Sequence, residues 1–193
     1  MIKFMEASKK YNAKEVFKNV NLTIKDNEFV LLIGQNGSGK STLLKSISGL
    51  VFPDKNNMIY KDNYNAYLPE KFSLPKNLTV KEFVAFLEEF FNTDLTYYLN
   101  NLIIPNLKIK ELSKGNLQKL GIISIIATKL STIILDEPTE GMDDDLKKKF
   151  IDILKKLHKE GKTIIISTHN PKDYNSFKNR KIFVHDGNIY ENN

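Results

Sequence analysis

Cysteine is absent from this chain of 193 residues, so neither disulfides nor zinc thiolates can hold it together. That fits a reducing compartment, and the cytoplasm is the expected location. Long apolar runs are also missing. A stretch such as 121–127 falls well short of the roughly 18 residues that would span a bilayer, and residues 1–11 lack the apolar centre of a signal peptide. Arginine is nearly missing: Arg180 is the only one among 29 lysines and arginines, which excludes most forms of an arginine finger supplied from within the chain. The formal net charge is +6, yet the lysines are spread evenly and no aromatic-basic recognition stretch accompanies them. A solvated lysine-rich surface follows, and no nucleic-acid partner is expected. There is no internal repeat, linker or low-complexity segment, and a chain of this length suits one domain that buries roughly 70% of its unfolded surface.

What is present is concentrated in Gly34-Gln35-Asn36-Gly37-Ser38-Gly39-Lys40-Ser41-Thr42, between the apolar run 29–33 and an apolar-periodic stretch 43–50. Strand, glycine-rich turn and helix is the context in which such a loop binds phosphate. The glycines let backbone N–H groups turn inward, and the new helix offers its positive end. Lys40 would reach the terminal phosphates, while the Ser41 hydroxyl is placed to ligand Mg²⁺. A merely structural turn has no use for Lys followed by Ser at this spacing.

Along the chain, 2–7 and 16–24 predict a small antiparallel layer that feeds the strand 29–33. A helix is predicted over 42–50, with Leu43, Leu44, Ile47 and Leu50 on one side. Short strands at 58–60 and 66–68 are separated by Lys61-Asp62-Asn63. From 79 to 104 the pattern is helical and aromatic. Thr79 and Glu82 form a capping box, and Phe83, Phe86, Leu87 and Phe90 recur at i, i+3, i+4 and i+7, the spacing of a core stripe. A sharper reading leaves Phe91, Tyr97 or Tyr98 outside the core to line a groove for a partner helix.

A buried helix follows over 113–128, then a strand over 132–135 that ends in Asp136-Glu137-Pro138. Asp143 to Asp145 begin a helix whose buried face carries Leu146, Phe150, Ile153, Leu154 and Leu157, with lysines later, as the helix dipole favours. A strand over 163–167 runs into Thr168-His169, and a hairpin turns at Asp186-Gly187. His158 and His185 read as ordinary loop histidines. Strands alternating with helices behind a phosphate loop predict an α/β fold, a P-loop NTPase with a mostly parallel core sheet and its ligand at the strand carboxyl ends. Hydrolysis of a nucleoside triphosphate needs a carboxylate for Mg²⁺ and a base for the attacking water. Asp136 and Glu137 supply both.

In this order of motifs the chain resembles the nucleotide-binding subunits of ATP-binding-cassette transporters over essentially its whole length. The family's signature helix start, commonly Leu-Ser-Gly-Gly-Gln, reads Leu112-Ser113-Lys114-Gly115-Asn116. Residues 137–143 look like the family's segment from catalytic Glu to Asp loop, and Ser167-Thr168-His169 like its switch histidine. The resemblance implies a single domain, 1–193, whose small helical subdomain at about 71–128 is inserted in the core. It implies Glu137, His169 and Lys40 as catalytic, with Tyr11, Gly34, Asn36, Gly37, Ser38, Gly39, Lys40, Ser41 and Thr42 binding ATP and Tyr11 stacking on adenine. Ser41 and Asp136 would hold Mg²⁺, with Glu70 a further candidate. Two such subunits, identical or different, would pack head to tail, Ser113, Lys114, Gly115 and Asn116 of each closing on the other's ATP and Asp143 lying at the dimer loop. The family's membrane partner is an integral permease subunit on another chain, which would make this one peripheral at the cytoplasmic face.

Two departures stand out. Glu70 occupies the coupling-loop position where the family usually has Gln, and a carboxylate there must bind the metal or sit back from phosphate. Lys114 replaces the first signature glycine, adding charge near the partner's ATP or directing it to solvent. These variants resemble a branch of small exporters of drugs, peptides, ions or haem. The resulting expectation is ATP hydrolysis that drives export through a separate transmembrane subunit. The alternative is a related ATPase that regulates a membrane protein or acts on nucleic acid or ribosomes; a small-molecule kinase would leave 112–116 and Glu137 without a purpose. Because the chain ends soon after the hairpin, no separate regulatory domain is expected.

Overall fold

Two long strands open the chain, β1 (Ile2–Tyr11) and β2 (Lys14–Ile24). They pair antiparallel from Ile2 opposite Ile24 to Tyr11 opposite Lys14, with register shifts that mark bulges. Asn27, in left-handed backbone at φ 58°, turns the chain into β3 (Phe29–Ile33). The computed structural model describes residues 1–12, 14–54, 58–60 and 65–191, with the backbone alone at 58–60; the separator Lys61-Asp62-Asn63 lies outside the described residues. Helix α1 spans Lys40–Ile47, so it starts earlier and stops sooner than apolar spacing predicts. Gly49, at φ 79°, ends it, and Leu50 is 66% exposed rather than buried with Leu43, Leu44 and Ile47.

Strand β4 (Met58–Tyr60) joins the free edge of β1, completing a three-stranded antiparallel sheet. Strand β5 (Ala66–Leu68) instead begins a larger sheet. Helix α2 (Val80–Phe91) starts at Thr79, whose hydroxyl accepts from the Glu82 N–H while the Glu82 carboxylate accepts from the Thr79 N–H. Asn92, at φ 46°, stops it. Short α3 (Thr96–Leu102) and a 3-10 turn at Ile109–Glu111 lead into α4 (Lys114–Ala127), capped by the Ser113 hydroxyl. Strand β6 (Thr132–Asp136) precedes α5 (Asp144–Lys159), which is capped by the Asp143 carboxylate. Then follow β7 (Thr163–Thr168), a 3-10 turn at Pro171–Tyr174, and the hairpin of β8 (Arg180–His185) with β9 (Asn188–Glu191). Its turn places Asp186 and Gly187 both at positive φ.

The larger sheet has six strands in the order β5-β6-β7-β3-β8-β9. All neighbours are parallel except β8 and β9. Successive residues of its central strands point to opposite faces, and each face has its own core. Phe29, Leu31, Ile133, Leu135, Ile164 and Ile166 pack with α2 to α5. Val30, Leu32, Ile134 and Ile165 pack with α1 and the antiparallel sheet. The carboxyl ends of β3, β6 and β7 are thereby brought together at one rim.

Helix α2 corrects the predicted aromatic stripe. Its buried residues are Val80, Phe83, Val84 and Leu87, while Phe86 and Phe90 are 52% and 69% exposed and stack on each other at 5.5 Å. Both sets have i, i+3, i+4, i+7 spacing, and packing against α4 selects the first. Of the aromatics predicted to remain outside, Tyr98 is buried and Phe91 half-buried against the core. Tyr97 alone is exposed, with the Lys156 ammonium 5.2 Å from its ring. His158 is a helix residue rather than a loop one: it lies in α5, edge-on to Phe29 at 5.8 Å.

Truncating the two kinds of aromatic should therefore cost very different amounts. Phe83→Ala is expected to lose about 3–5 kcal/mol and Phe86→Ala under about 1 kcal/mol, read from urea unfolding midpoints. Equal losses would show that Phe86 belongs to the core.

Candidate active site

The loop between β3 and α1 is shaped by contacts that only glycine permits. A Cβ on Gly34 would come within 2.3 Å of Val184 O. Gly39 has φ 103°, and a Cβ there would meet Val16 O at 2.9 Å. Gly39 is also the N-cap of α1 and provides no side-chain cap, leaving the first N–H groups of the helix for an anion. Lys40, only 5% exposed, folds back across the loop, donating to Gly34 O at 2.7 Å and Gln35 O at 3.1 Å.

Opposite it stands the end of β6. Glu137, 9% exposed, has φ 47°, a left-handed conformation unusual for a side chain of this size. Its Oε1 lies 3.4 Å from Lys40 Nζ, an ion pair by distance without hydrogen-bond geometry. Its Oε2 lies 3.0 Å from His169 Nδ1 and accepts the His169 N–H at 3.3 Å. Asp136 is buried beside it. Its Oδ1 accepts from the Ser167 hydroxyl at 2.5 Å and its Oδ2 from the Tyr67 hydroxyl at 3.3 Å. Burial first, and the Asp136 charge second, raise the Tyr67 pKa well above the usual phenol range, so Tyr67 remains a donor at any physiological pH.

The structure gathers the following residues. Asn36, Gly37, Ser38, Gly39, Lys40, Ser41 and Thr42 line one cleft of about 500 Å³ with Tyr11, Glu70 and Glu137. Tyr11 stands at its edge, half-exposed, with the Lys9 ammonium 5.4 Å from the ring. Exposed Glu70 lies on the rim. Asp136 and His169 stand behind Glu137 and do not line the cleft, and Gly34 takes part through its carbonyl. Ser113, Lys114, Gly115, Asn116 and Asp143 line no part of it. The Ser113 hydroxyl accepts the Asn116 N–H at 3.3 Å, and Lys114 reaches Glu140 at 3.4 Å.

The parts played by Ser167, Tyr67 and Gln118 at this site were not legible in the sequence. Gln118 donates to Pro138 O at 3.3 Å, tying α4 to the residue after Glu137. A signal existed for one of them, since Ser167 is a polar residue near the end of a strand otherwise apolar enough to be buried.

The arrangement fits a nucleotide with its metal. Ser38 Oγ is buried without a hydrogen-bond partner in the cleft lining, and open helix N–H groups and an ammonium face the same space. Among the described residues no group of three or more His, Cys, Asp or Glu side chains could hold a metal ion by itself. Mg²⁺ binds through one or two carboxylates and substrate phosphates while keeping much of its water.

Residues 17–140 match the family model for ABC transporters. An ABC transporter ATP-binding protein of Methanocaldococcus jannaschii is 34% identical over 87% of this chain and 68% of its own length. Another, from Methanosarcina mazei, is 29% identical over 99% of this chain. The chain spans only 43% of that relative's length. A solved ATP-binding cassette, dimeric and described as a post-hydrolysis state bound to ADP and Pi, superposes with a TM-score of 0.85 at 27% identity, covering 99% of this chain and 98% of the other. The chain belongs to the ABC transporter family, and its fold and loop are those of that family's ATPase cassette.

Lys40→Ala is expected to weaken ATP binding at least about tenfold, as loss of a charge-assisted contact implies. Calorimetric titration with ATP checks it; unchanged affinity would show that the ammonium serves the loop alone.

Proposed function

We propose that this chain hydrolyses ATP to drive export of a substrate through a separate membrane-spanning subunit, by closing and opening a dimer of cassettes. The observation that carries the chemistry is Glu137, held between Lys40 and His169 beside the phosphate loop. Glu137 takes the proton of the attacking water, His169 steadies that water and the γ-phosphate, and Lys40 offsets the charge that develops on the phosphate. Mg²⁺, when bound, supplies further charge neutralisation; Ser41 and Asp136 are the residues to hold it, and Glu70, which lines the same cleft as Ser41, is a further candidate. Tyr11 offers its ring to the adenine.

In this reading the chain is one domain with a helical subdomain at about 71–128. The start of α4, with Ser113, Lys114, Gly115 and Asn116, lies apart from the chain's own cleft and serves the nucleotide held by the partner cassette, Asp143 lying at the same interface. Among the described residues no helix is long and apolar enough to cross a membrane, which accords with a separate permease subunit and a peripheral position at the cytoplasmic face. The departures at Glu70 and Lys114 resemble those of a branch of small exporters, and the export direction rests on that resemblance.

Glu137→Gln is expected to keep ATP affinity within about threefold, to lose turnover by a factor of about a hundred or more, and to accumulate as an ATP-bound dimer. Size-exclusion chromatography with light scattering in saturating Mg-ATP reads the dimer, and a monomer there would count heavily against the scheme. Used as bait on detergent-solubilised membranes of its own source, the same variant should retain a multi-span protein without ATPase motifs. Retention of ribosomes or nucleic acid alone would overturn the transport reading.

A further inference from the structure

Every residue of β7 is buried, and Ser167 is a fully buried hydroxyl between apolar Ile166 and the strand's end. Parallel register sets it opposite Asp136. A hydroxyl has one proton and two lone pairs, and this one uses both functions on neighbouring residues. It donates to Asp136 Oδ1 at 2.5 Å and accepts the Glu137 N–H at 2.9 Å. The same N–H lies 3.2 Å from Ser167 O. Glu137 sits at φ 47°, a conformation that persists only where surroundings hold it. Tyr67 restrains the second Asp136 oxygen.

We propose that Ser167 is a positioning residue for both carboxylates. Its proton fixes the rotamer of Asp136, and its lone pair holds the left-handed turn that aims Glu137 at Lys40 and His169. Tyr67 is the second arm on Asp136 alone. Without the hydroxyl, Asp136 Oδ1 loses its donor and the Glu137 N–H keeps only the longer backbone bond, so both carboxylates drift while the Gly34 and Gln35 carbonyls still hold Lys40 in the loop. This assignment rests on the ATPase function proposed above.

The test compares the whole chain with Ser167→Ala, Ser167→Thr and Tyr67→Phe, titrating ATP in Mg²⁺ and in EDTA and measuring steady-state turnover and melting. For Ser167→Ala, ATP affinity in EDTA should stay within about twofold, the gain in affinity conferred by Mg²⁺ should fall at least about fivefold, and kcat should fall at least about tenfold with little change in KM. Ser167→Thr, which keeps the hydroxyl, should recover most of both. Tyr67→Phe should reduce the Mg²⁺ gain by less than Ser167→Ala does, because Asp136 keeps its Ser167 donor. Unchanged kcat and Mg²⁺ gain in Ser167→Ala would overturn the proposal, as would equal weakening in Mg²⁺ and EDTA, the mark of a general loss of structure. Should Ser167→Ala melt below the assay temperature, Ser167→Cys, which keeps the volume but bonds far more weakly, takes its place with the same expected and overturning results. Wild-type protein that binds Mg-ATP without turnover would refute the proposed function, and the Mg²⁺ comparison would still decide the role of Ser167.

Discussion

An ammonium withdrawn from water gives up several kcal/mol of hydration unless acceptors replace it. Lys40 is such a group, and the rim of the sheet is arranged to satisfy it. The carbonyls of Gly34 and Gln35 accept its protons, which closes the loop on itself, and the Glu137 carboxylate supplies the compensating charge. Glu137 in turn holds His169. One buried cation thus draws the ends of β3, β6 and β7 into a single cluster. A terminal phosphate is the same kind of partner as a carboxylate, so a nucleotide can take over part of Lys40's coordination and keep the ammonium paired. The protein holds the cation in place beforehand, and little reorganisation is needed at the moment of binding.

That cluster depends on register. In the parallel pairing of β6 with β7, Asp136 faces Ser167, and one residue further the Glu137 N–H still reaches Ser167 O. A slip by one residue would exchange the two cores, turning Ile133 and Leu135 to the side of α1 and Ile134 to the side of α2 to α5. Both faces being apolar, hydrophobicity alone would tolerate such a slip. The polar ends of the strands, where Asp136, Ser167 and Glu137 satisfy one another, give the correct register its advantage.

Local features were readable because their partners are neighbours in the chain. The glycine loop, the Thr79 and Glu82 capping box and the Asp186-Gly187 turn each involve residues within a few positions, so spacing alone carries the physics. Phe86 and Phe90 were misplaced for the opposite reason. Two overlapping stripes on α2 share Phe83 and Leu87 and have the same period; which of them faces inward depends on α4, some thirty residues downstream. Leu50 continued the apolar rhythm of α1, but Gly49 turned the chain first. His158 reads in the sequence as an ordinary loop histidine, but it lies within α5, and packing sets its ring edge-on to Phe29.

The amino-acid sequence by itself determined that a glycine loop joins a buried strand to a helix, that an acidic pair ends a second buried strand, and that the core sheet is mostly parallel. Those are consequences of short-range chemistry and of periodicity. Only the tertiary structure decided that Lys40, Glu137 and His169 meet, that Tyr67 and Ser167 hold Asp136 from two sides, and that the start of α4 stands apart from the cleft. These contacts join residues about thirty to a hundred positions apart, and no local pattern encodes a distance that exists only once both faces of the sheet have been covered.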